Sequence, residues 1–147
     1  MISIFGIISV VIAVVSVTII VLHNRLMLKR APVDTYFTSL EDLIRERIEN
    51  LYSQSHPDSE LRAICAISVD FNLNGMIEAL PDIDMASEKE RAIDDKESCQ
   101  IIRETTEALN QAIEGYNRLI TGSLPMKLMA QILALTTEET VNINNYG

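Results

Sequence analysis

An uncharged apolar run near the N-terminus constrains the fold more than any other feature of this sequence. Residues 2–22 read ISIFGIISVVIAVVSVTIIVL and contain no charged side chain. As an α-helix the run would be about 31 Å long, which matches the hydrocarbon thickness of a bilayer. A cleaved signal peptide normally has a basic segment before a shorter apolar run that ends in small residues. Here only Met1 precedes the run and bulky residues end it, so we expect an uncleaved transmembrane anchor over residues 1–23.

Basic residues flank this run on one side only. Arg25, Lys29 and Arg30 follow it, within a juxtamembrane segment at 24–32. An excess of Lys and Arg next to a transmembrane helix marks the cytoplasmic side. We therefore expect a single-pass protein with its N-terminus outside and the rest of the chain in the cytoplasm. The three cations are predicted to lie at the level of the lipid headgroups, which makes the lipid bilayer the first expected partner.

The charge balance limits the other partners. The chain has 21 acidic and 12 basic residues, a formal net charge of -9, and almost all the acids follow position 40. Duplex nucleic acid requires a basic surface that releases counterions, so nucleic acid is excluded as a partner. The two cysteines, Cys65 and Cys99, are too few for a disulfide framework, and we expect both to be reduced, buried apolar residues.

Helical periodicity dominates the rest of the chain and predicts an all-α fold. We expect residues 33–137 to form an antiparallel bundle of about three long helices plus a short C-terminal helix. The first helix has apolar residues at spacings of 4, 3, 4 and 7, which trace one narrow stripe. These residues are Val33, Phe37, Leu40, Ile44 and Leu51. Arg47 takes the missing position of the stripe, and Pro32 predicts a kink or short break after the anchor.

A second helix is expected after the turn at residues 53–60. Asp58 and Ser59 are the candidate N-caps, because their side-chain oxygens can accept from free backbone N–H groups. Gly75 weakens this helix and Pro81 is expected to end it.

The following stretch, residues 82–97, is strongly charged. It predicts either the solvated first half of a long third helix, capped near Asp84 or Ser87, or a partly ordered loop. Its carboxylates leave open a divalent-metal-responsive regulator or enzyme, although the run lacks the alternating Asp/Asn pattern of a calcium loop.

A regular apolar stripe returns in the third helix. It comprises Ile102, Leu109, Ile113, Tyr116 and Ile120. Thr105 or Thr106 fills the missing turn, and Gly122 is expected to stop the helix. Ser123 is the predicted N-cap of the short final helix, and residues 138–147 are expected to be a flexible tail.

Two segments carry a further pattern. The first reads NRLMLKRAPVDTYFTSLEDLIRER and the later one LNQAIEGYNRLITGSLP. Together with the anchor they resemble the LemA-like membrane proteins of bacteria. In that family an Asn-x-Leu stretch, a V-x-x-A-x-x-x-I-D-x-x-L-x-R-R helix and a later Y-N-x-x-V-x-x-Y-N segment follow a transmembrane helix. The corresponding positions here are Asn24, Leu26, Val33, Leu40, Glu41, Ile44, Arg47, Leu109, Asn110, Ile113, Tyr116, Asn117 and Pro125.

The resemblance implies a fold and a location. It implies a membrane-anchored, antiparallel helical domain that faces the cytoplasm of a bacterial cell from the inner membrane. The match is divergent, since Glu46 stands where the family has its first arginine and the middle helices are shorter. The family has no established enzymatic activity, so the resemblance implies a fold more than a chemistry.

Residues suited to catalysis are sparse. His23 follows the apolar run and His56 lies in a predicted turn, and neither has a partner at the spacing of a base or a metal ligand. The sequence has no HExxH, no G-x-S-x-G and no phosphate-binding glycine loop. We therefore predict no catalytic residue, cofactor or metal site.

Three polar residues on the predicted stripes are the informative ones. Arg47 either buries its stem and sends its guanidinium to solvent or a rim carboxylate, or forms a buried, register-fixing contact with an acid on a neighbouring helix. Asn110 and Asn117 follow the stripe residues by one position, so their amides either bridge to a neighbouring helix or face solvent. Gly115 lowers helix propensity, which predicts a close backbone approach there.

These features favour a non-enzymatic, cytoplasm-facing interaction or scaffold protein, held by one transmembrane helix and bound to an unknown protein partner. A structural or assembly protein of the envelope is a further alternative. Gly6, Ser9 and Ala13 lie at spacings of 3 and 4 in the anchor, and such small residues can form a self-association face. A homo-oligomer is therefore possible.

Overall fold

The computed structural model describes residues 3–90 and 96–141. These residues form five helices and, within the described ranges, no strand, which confirms the predicted all-α class. The helices are α1 (Ile4–Gln54), α2 (Glu60–Ser68), α3 (Leu73–Glu90), α4 (Lys96–Gly122) and α5 (Leu124–Ile132).

The first part of α1 is long and apolar enough to cross a membrane, by length and composition, and none of its most apolar 18-residue window is buried by the rest of the chain. Three hydroxyl groups in this part donate to the carbonyl four residues earlier: Ser9 at 2.8 Å, Ser16 at 2.8 Å and Thr18 at 2.9 Å. Hydroxyls bonded in this way leave no polar hydrogen to be desolvated by lipid. This surface is therefore suited to a hydrocarbon environment.

Of the kink or short break predicted at Pro32, the break is wrong, because α1 runs through this residue without interruption, and the kink stays a prediction. Proline in a helix interior removes one backbone hydrogen bond and costs about 3 kcal/mol. Leu26 and Val33, one on each side of Pro32, are both 0% exposed. Burying a large aliphatic side chain stabilises by roughly 1.5–3 kcal/mol, so two such residues offset the proline.

Contacts divide the chain into two compact units. Unit 1 contains Met1–Val33 and Gln111–Thr140, and unit 2 contains Asp34–Asn110 and Val141–Gly147. Helices α1 and α4 each contribute to both units.

The buried side chains of α1 and α4 follow the predicted stripes. In α1 they are Leu26 and Val33 in unit 1 and Leu40, Ile44, Arg47, Ile48 and Leu51 in unit 2. In α4 they are Ile102, Thr106 and Leu109 in unit 2 and Ile113, Tyr116 and Ile120 in unit 1. Of the two candidate threonines, Thr106 is the one that is buried, and its hydroxyl donates to the Ile102 carbonyl at 2.8 Å.

The predicted second helix is in fact two helices. Ser59 caps α2 as expected, its Oγ accepting from the Arg62 N–H at 3.1 Å. The chain leaves the helix after Ser68, and Asn72 starts α3 by accepting the Gly75 N–H at 2.9 Å. Asn and Asp compete with helical hydrogen bonds in this way, which is why a helix ends where the apolar spacing alone predicted continuity.

Pro81 does not end a helix, because it lies inside α3 and is exposed there. The stretch 82–90 is the C-terminal half of α3, so the predicted start of a third helix at Asp84 or Ser87 is wrong. Ser87 is instead buried within α3. Residues 91–95 lie outside the described residues, and α4 begins at Lys96.

The later helix boundaries agree with the sequence prediction. Helix α4 ends at Gly122. Ser123 occupies the N-cap position of α5 with Pro125 in the first turn, although the serine side chain makes no capping hydrogen bond. After α5, Ala134 adopts a left-handed conformation with φ 54° and the Leu135 N–H donates to the Ala130 carbonyl at 2.8 Å. This turn redirects the chain into a non-helical segment.

Candidate functional site

The nine residues singled out by sequence fall into two groups in the structure. Asn24 is exposed on α1, and the aliphatic members lie in the core with no exposed surface. The aliphatic members are Val33, Leu40, Ile44 and Ile113. Arg47 and Tyr116 are buried, whereas Asn110 and Asn117 are half-buried. Of the nine, Arg47, Tyr116, Asn110 and Asn117 form side-chain hydrogen bonds to other parts of the chain.

Asn117 binds the backbone of the C-terminal segment, which we define as residues 136–141. Its Nδ2 donates to the Glu138 carbonyl and its Oδ1 accepts from the Glu138 N–H, both at 2.9 Å. The predicted bridge to a neighbouring helix is therefore wrong in its partner. One side-chain amide satisfies both backbone groups of one residue, as a neighbouring β-strand would.

Asn110 makes the same pair of bonds in unit 2. Its Nδ2 donates to the Val141 carbonyl and its Oδ1 accepts from the Val141 N–H, both at 2.7 Å. The hydrogen-bonded part of the chain thus extends beyond position 138, where the tail was predicted to begin. The rest of that predicted tail, residues 142–147, lies outside the described residues.

Arg30 completes the site in unit 1. Its Nη1 lies 2.6 Å from the Glu138 Oε1, and its guanidinium carbon lies 5.1 Å from the centre of the Tyr116 ring. The Tyr116 hydroxyl donates to the Thr136 carbonyl at 3.2 Å. The Arg30 guanidinium therefore makes a cation–π contact and an ion pair at the same time.

Arg30 has a role within the protein that the lipid-headgroup prediction did not include, since its side chain is only 24% exposed and binds Glu138. A signal for this role was present in the sequence. Arg30 lies four residues after Leu26 and three before Val33, which are the spacings of the buried stripe. A flanking cation at a stripe position points towards the protein and not towards lipid.

Arg47 forms a second ion pair, in unit 2. Its side chain is 6% exposed and its Nη2 lies 2.8 Å from the Oδ1 of Asp84 on α3, which is 30% exposed. One of the two sequence alternatives for Arg47 was a buried contact with an acid on a neighbouring helix. The guanidinium is buried and binds such an acid, but the acid itself is partly exposed. A neighbouring arginine, Arg45, donates to the carbonyls of Val69 and Phe71 at 3.1 Å and so holds the connection between α2 and α3.

Cys65 is a buried thiol of α2 whose pKa is raised. Burial raises the pKa of the Cys65 thiol to about 11; Arg47 opposes this shift and Glu90 adds to it. The thiol lines a cavity of about 420 Å³ with Glu49, Tyr52 and other residues of unit 2. Because the thiolate is the nucleophile, a raised pKa makes this cysteine inert at neutral pH. Cys99 is half-buried, so the expected full burial holds for Cys65 alone.

Gly115 does not serve a close backbone approach. A Cβ placed at this residue would meet no atom within 4 Å outside its own helix turn. The sequence interpretation of this glycine is therefore wrong, and its conformational freedom lowers helix stability without an evident packing gain.

The structure offers no constellation for metal chemistry within the described ranges 3–90 and 96–141. No group of three or more His, Cys, Asp or Glu residues there could hold a metal ion. Of the acidic stretch 82–97, residues 91–95 lie outside these ranges.

Comparison with known proteins adds no relative. No protein-family model, curated protein or solved structure matches the chain.

Proposed function

We propose that this chain is a membrane-anchored, cytoplasm-facing helical interaction or scaffold protein of the LemA type, with no catalytic role. The observation that carries the proposal is the unbroken α1, whose unburied apolar first part continues directly into a buried stripe. A helix of this kind joins a membrane-spanning segment to folded protein without a loop between them. Its partner in this proposal is another protein, because the net charge of -9 disfavours nucleic acid.

The proposed architecture places an antiparallel bundle, built from the helical remainder of the chain, on the cytoplasmic side of a bacterial inner membrane. The orientation rests on the basic flank of the apolar run. Arg25 and Lys29 are exposed there, whereas Arg30 is engaged by Glu138. The two exposed cations that follow the run favour an outside N-terminus.

The absence of a catalytic role in the proposal is supported by the chemistry of the described polar residues. The buried cysteine is held as a thiol. Asn110, Asn117, Arg30 and Arg47 form hydrogen bonds and ion pairs to the chain itself. Side chains used in this way hold polypeptide in place and do not activate a nucleophile or transfer a proton.

Membrane extraction and a topology map test the anchor. The full chain should stay in the membrane fraction after alkaline carbonate extraction. A reporter enzyme that works only in the cytoplasm should be active when it is fused after residue 147. Val11→Arg places a charge near the middle of the run, which makes membrane insertion less favourable by about 2.5–3.5 kcal/mol. A large fraction of this variant should therefore be released from the membrane. Val11→Leu is the matched control and should stay bound. An exterior C-terminus would overturn the orientation.

Crosslinking in native membranes tests self-association through the anchor. If the small residues form the contact, Gly6→Leu should lower the yield of crosslinked dimer while the neighbouring Ile7→Leu leaves it unchanged. A chain that stays monomeric before and after both substitutions would remove the homo-oligomer from the proposal.

A further inference from the structure

The C-terminal segment is bound mainly through its backbone, which is the basis of the inference. In unit 1, the N–H and carbonyl of Glu138 and the carbonyl of Thr136 are all bonded to side chains of α4. Backbone groups are the same in every residue except proline. Asn117 and Tyr116 therefore recognise an extended chain and not a particular sequence.

The repetition of the amide pair in unit 2 indicates that it is a built feature. Asn110 and Asn117 lie seven residues apart on α4, a rise of about 10.5 Å. Val141 lies three residues after Glu138, so in each unit one asparagine of α4 binds both backbone groups of one residue of the C-terminal segment.

Arg30 supplies selectivity for an acidic side chain. It is the one group of the unit 1 site that contacts a side chain of the segment, the Glu138 carboxylate at 2.6 Å. The Tyr116 ring under the guanidinium restricts its position, so a carboxylate held by the Asn117 amide pair meets a fixed cation. A lysine in place of Glu138 would bring two cations together.

The segment that occupies this site is suited to exchange. It has no helix, and Thr136, Thr137, Glu139 and Thr140 are exposed. It is held by hydrogen bonds and by one ion pair, whose two side chains are 24% and 30% exposed. Each such bond contributes little net free energy, because water competes for the same groups, so a segment held in this way can be replaced by another of the same chemistry.

From these observations we propose that Arg30, Tyr116 and Asn117 form a binding site for an extended acidic peptide of a partner protein, which the chain's own C-terminal segment occupies in its absence. The ligand is an extended, non-proline residue with a carboxylate side chain, bonded through its own N–H and carbonyl. This inference rests on the proposed interaction function and identifies the surface and the class of partner.

The test uses the full chain in lipid nanodiscs and a labelled peptide with blocked ends, ALTTEETV, which has the sequence of residues 134–141. Binding is followed by fluorescence anisotropy. In the wild-type chain the attached segment competes at an effective concentration in the millimolar range, so added peptide should bind weakly. Glu138→Pro removes both the N–H and the carboxylate of the attached segment, and should tighten peptide binding by about ten-fold or more.

The Glu138→Pro variant, which we call the opened chain, allows the site to be identified by a second substitution. Asn117→Ala or Arg30→Gln, each combined with Glu138→Pro, should weaken peptide binding by about ten-fold, the effect of losing roughly one net charge-assisted or paired hydrogen bond. Glu139→Pro alone is the matched control for the proline; it leaves the Glu138 N–H and carboxylate in place and should bind peptide as the wild type does. If Glu138→Pro lowers helix content by circular dichroism, Glu138→Gln, which removes only the charge, takes its place.

The peptide itself carries a control. A peptide with Lys at the position of Glu138 should lose binding to the opened chain, whereas a peptide with Lys at the position of Glu139 should keep it. Equal binding of both peptides, or equal binding of peptide to wild type and Glu138→Pro, would overturn the proposal. So would sedimentation that shows a wild-type dimer and a Glu138→Pro monomer, because the segment would then serve a second copy.

Failure of this inference is distinguishable from failure of the proposed function. Carbonate extraction of the same variants reports on the anchor alone. A chain that stays in the membrane but does not bind the peptide would contradict the acidic-peptide site and would leave the proposed membrane-anchored interaction function unaffected.

Discussion

Arg30 and Arg47 both lie along the buried stripe of α1, one in each unit, yet they hold very different partners. Arg47 is 6% exposed and binds Asp84, a residue of another helix. Arg30 is 24% exposed and binds Glu138 in a segment without helix. The same guanidinium–carboxylate chemistry thus joins core elements in unit 2 and retains a peripheral segment in unit 1.

The difference teaches how burial separates a structural ion pair from an exchangeable one. A buried arginine that loses its acid has no water to replace it, so breaking the pair is strongly unfavourable. A half-exposed pair is screened by solvent and contributes little by itself. Loss of the ion pair in unit 2 should therefore lower the free energy of unfolding. Loss of the ion pair in unit 1 should instead open the C-terminal segment locally.

The largest effect is expected from Asp84→Ala. It removes the carboxylate that Arg47 binds at 2.8 Å and should lower the free energy of unfolding by about 3 kcal/mol, the lower end of the range for buried pairs, because Asp84 is 30% exposed. Arg47→Met removes the charge instead and should cost far less. Urea unfolding of the full chain in detergent measures both. Equal losses for the two variants would show that Arg47 packs as a structural residue whatever its charge.

A smaller and local effect is expected at the asparagines. Each amide makes two hydrogen bonds, so Asn117→Ala and Asn110→Ala should each lower stability by about 1–2 kcal/mol. Amide hydrogen exchange separates them. Asn117→Ala should speed exchange at the Glu138 N–H by about ten-fold and spare Val141, and Asn110→Ala should do the reverse. Protection that is unchanged at both amides would mean that the segment is not held by these side chains.

The stability of unit 2 should also depend on pH, through Cys65. The pKa of Cys65 is raised to about 11 when folded, above its ordinary value of 9.0. Its contribution to stability is therefore fully present below about pH 9 and is lost as the pH rises towards 11. Cys65→Ala should flatten that part of the pH profile. At pH 8 a thiol reagent should modify half-buried Cys99 well before Cys65, and similar rates would contradict the burial.

The smallest effect has the opposite sign. Gly115→Ala adds a methyl group in open space on a helix, so it should raise the free energy of unfolding by about 0.5–1 kcal/mol. Gly75→Ala is the informative contrast, because a Cβ there would lie 3.0 Å from the Phe71 Cβ and should destabilise. A loss of stability from Gly115→Ala would restore the close approach that the sequence suggested.

Much of the helical fold was predictable because the signals are local. The 3 and 4 spacings of apolar residues in α1 and α4 follow from the geometry of one helix, and the buried residues lie on those stripes. Ser59 and Gly122 mark helix ends through hydrogen bonds and conformations of the nearest residues. Such features need no knowledge of a distant partner.

The prolines show where local rules fail. Pro32 and Pro81 both lie inside helices that their presence was expected to break. The local penalty of a proline is about 3 kcal/mol, which is comparable to the burial of one or two aliphatic side chains on the flanking turns. Whether the helix continues is decided by what those turns bury, and the sequence does not show that.

The partners of the polar stripe residues were also beyond local inference. Asn117 was recognised as a docking residue, but its partner Glu138 lies 21 residues away in a segment predicted as a free tail. Arg30 was assigned to lipid because a cation beside an apolar run has the same sequence signature in either role.

The sequence by itself determined that this chain is helical, that one helix is apolar enough to cross a membrane, and which faces of α1 and α4 are buried. Periodicity and composition suffice for these, because they depend on neighbouring residues. Only the tertiary structure decided that α1 continues through Pro32, that Arg47 meets Asp84, and that Asn117 and Arg30 hold the C-terminal segment. Those outcomes are contacts between residues distant in the chain, and their free energies exist only once the folded backbone brings the groups together.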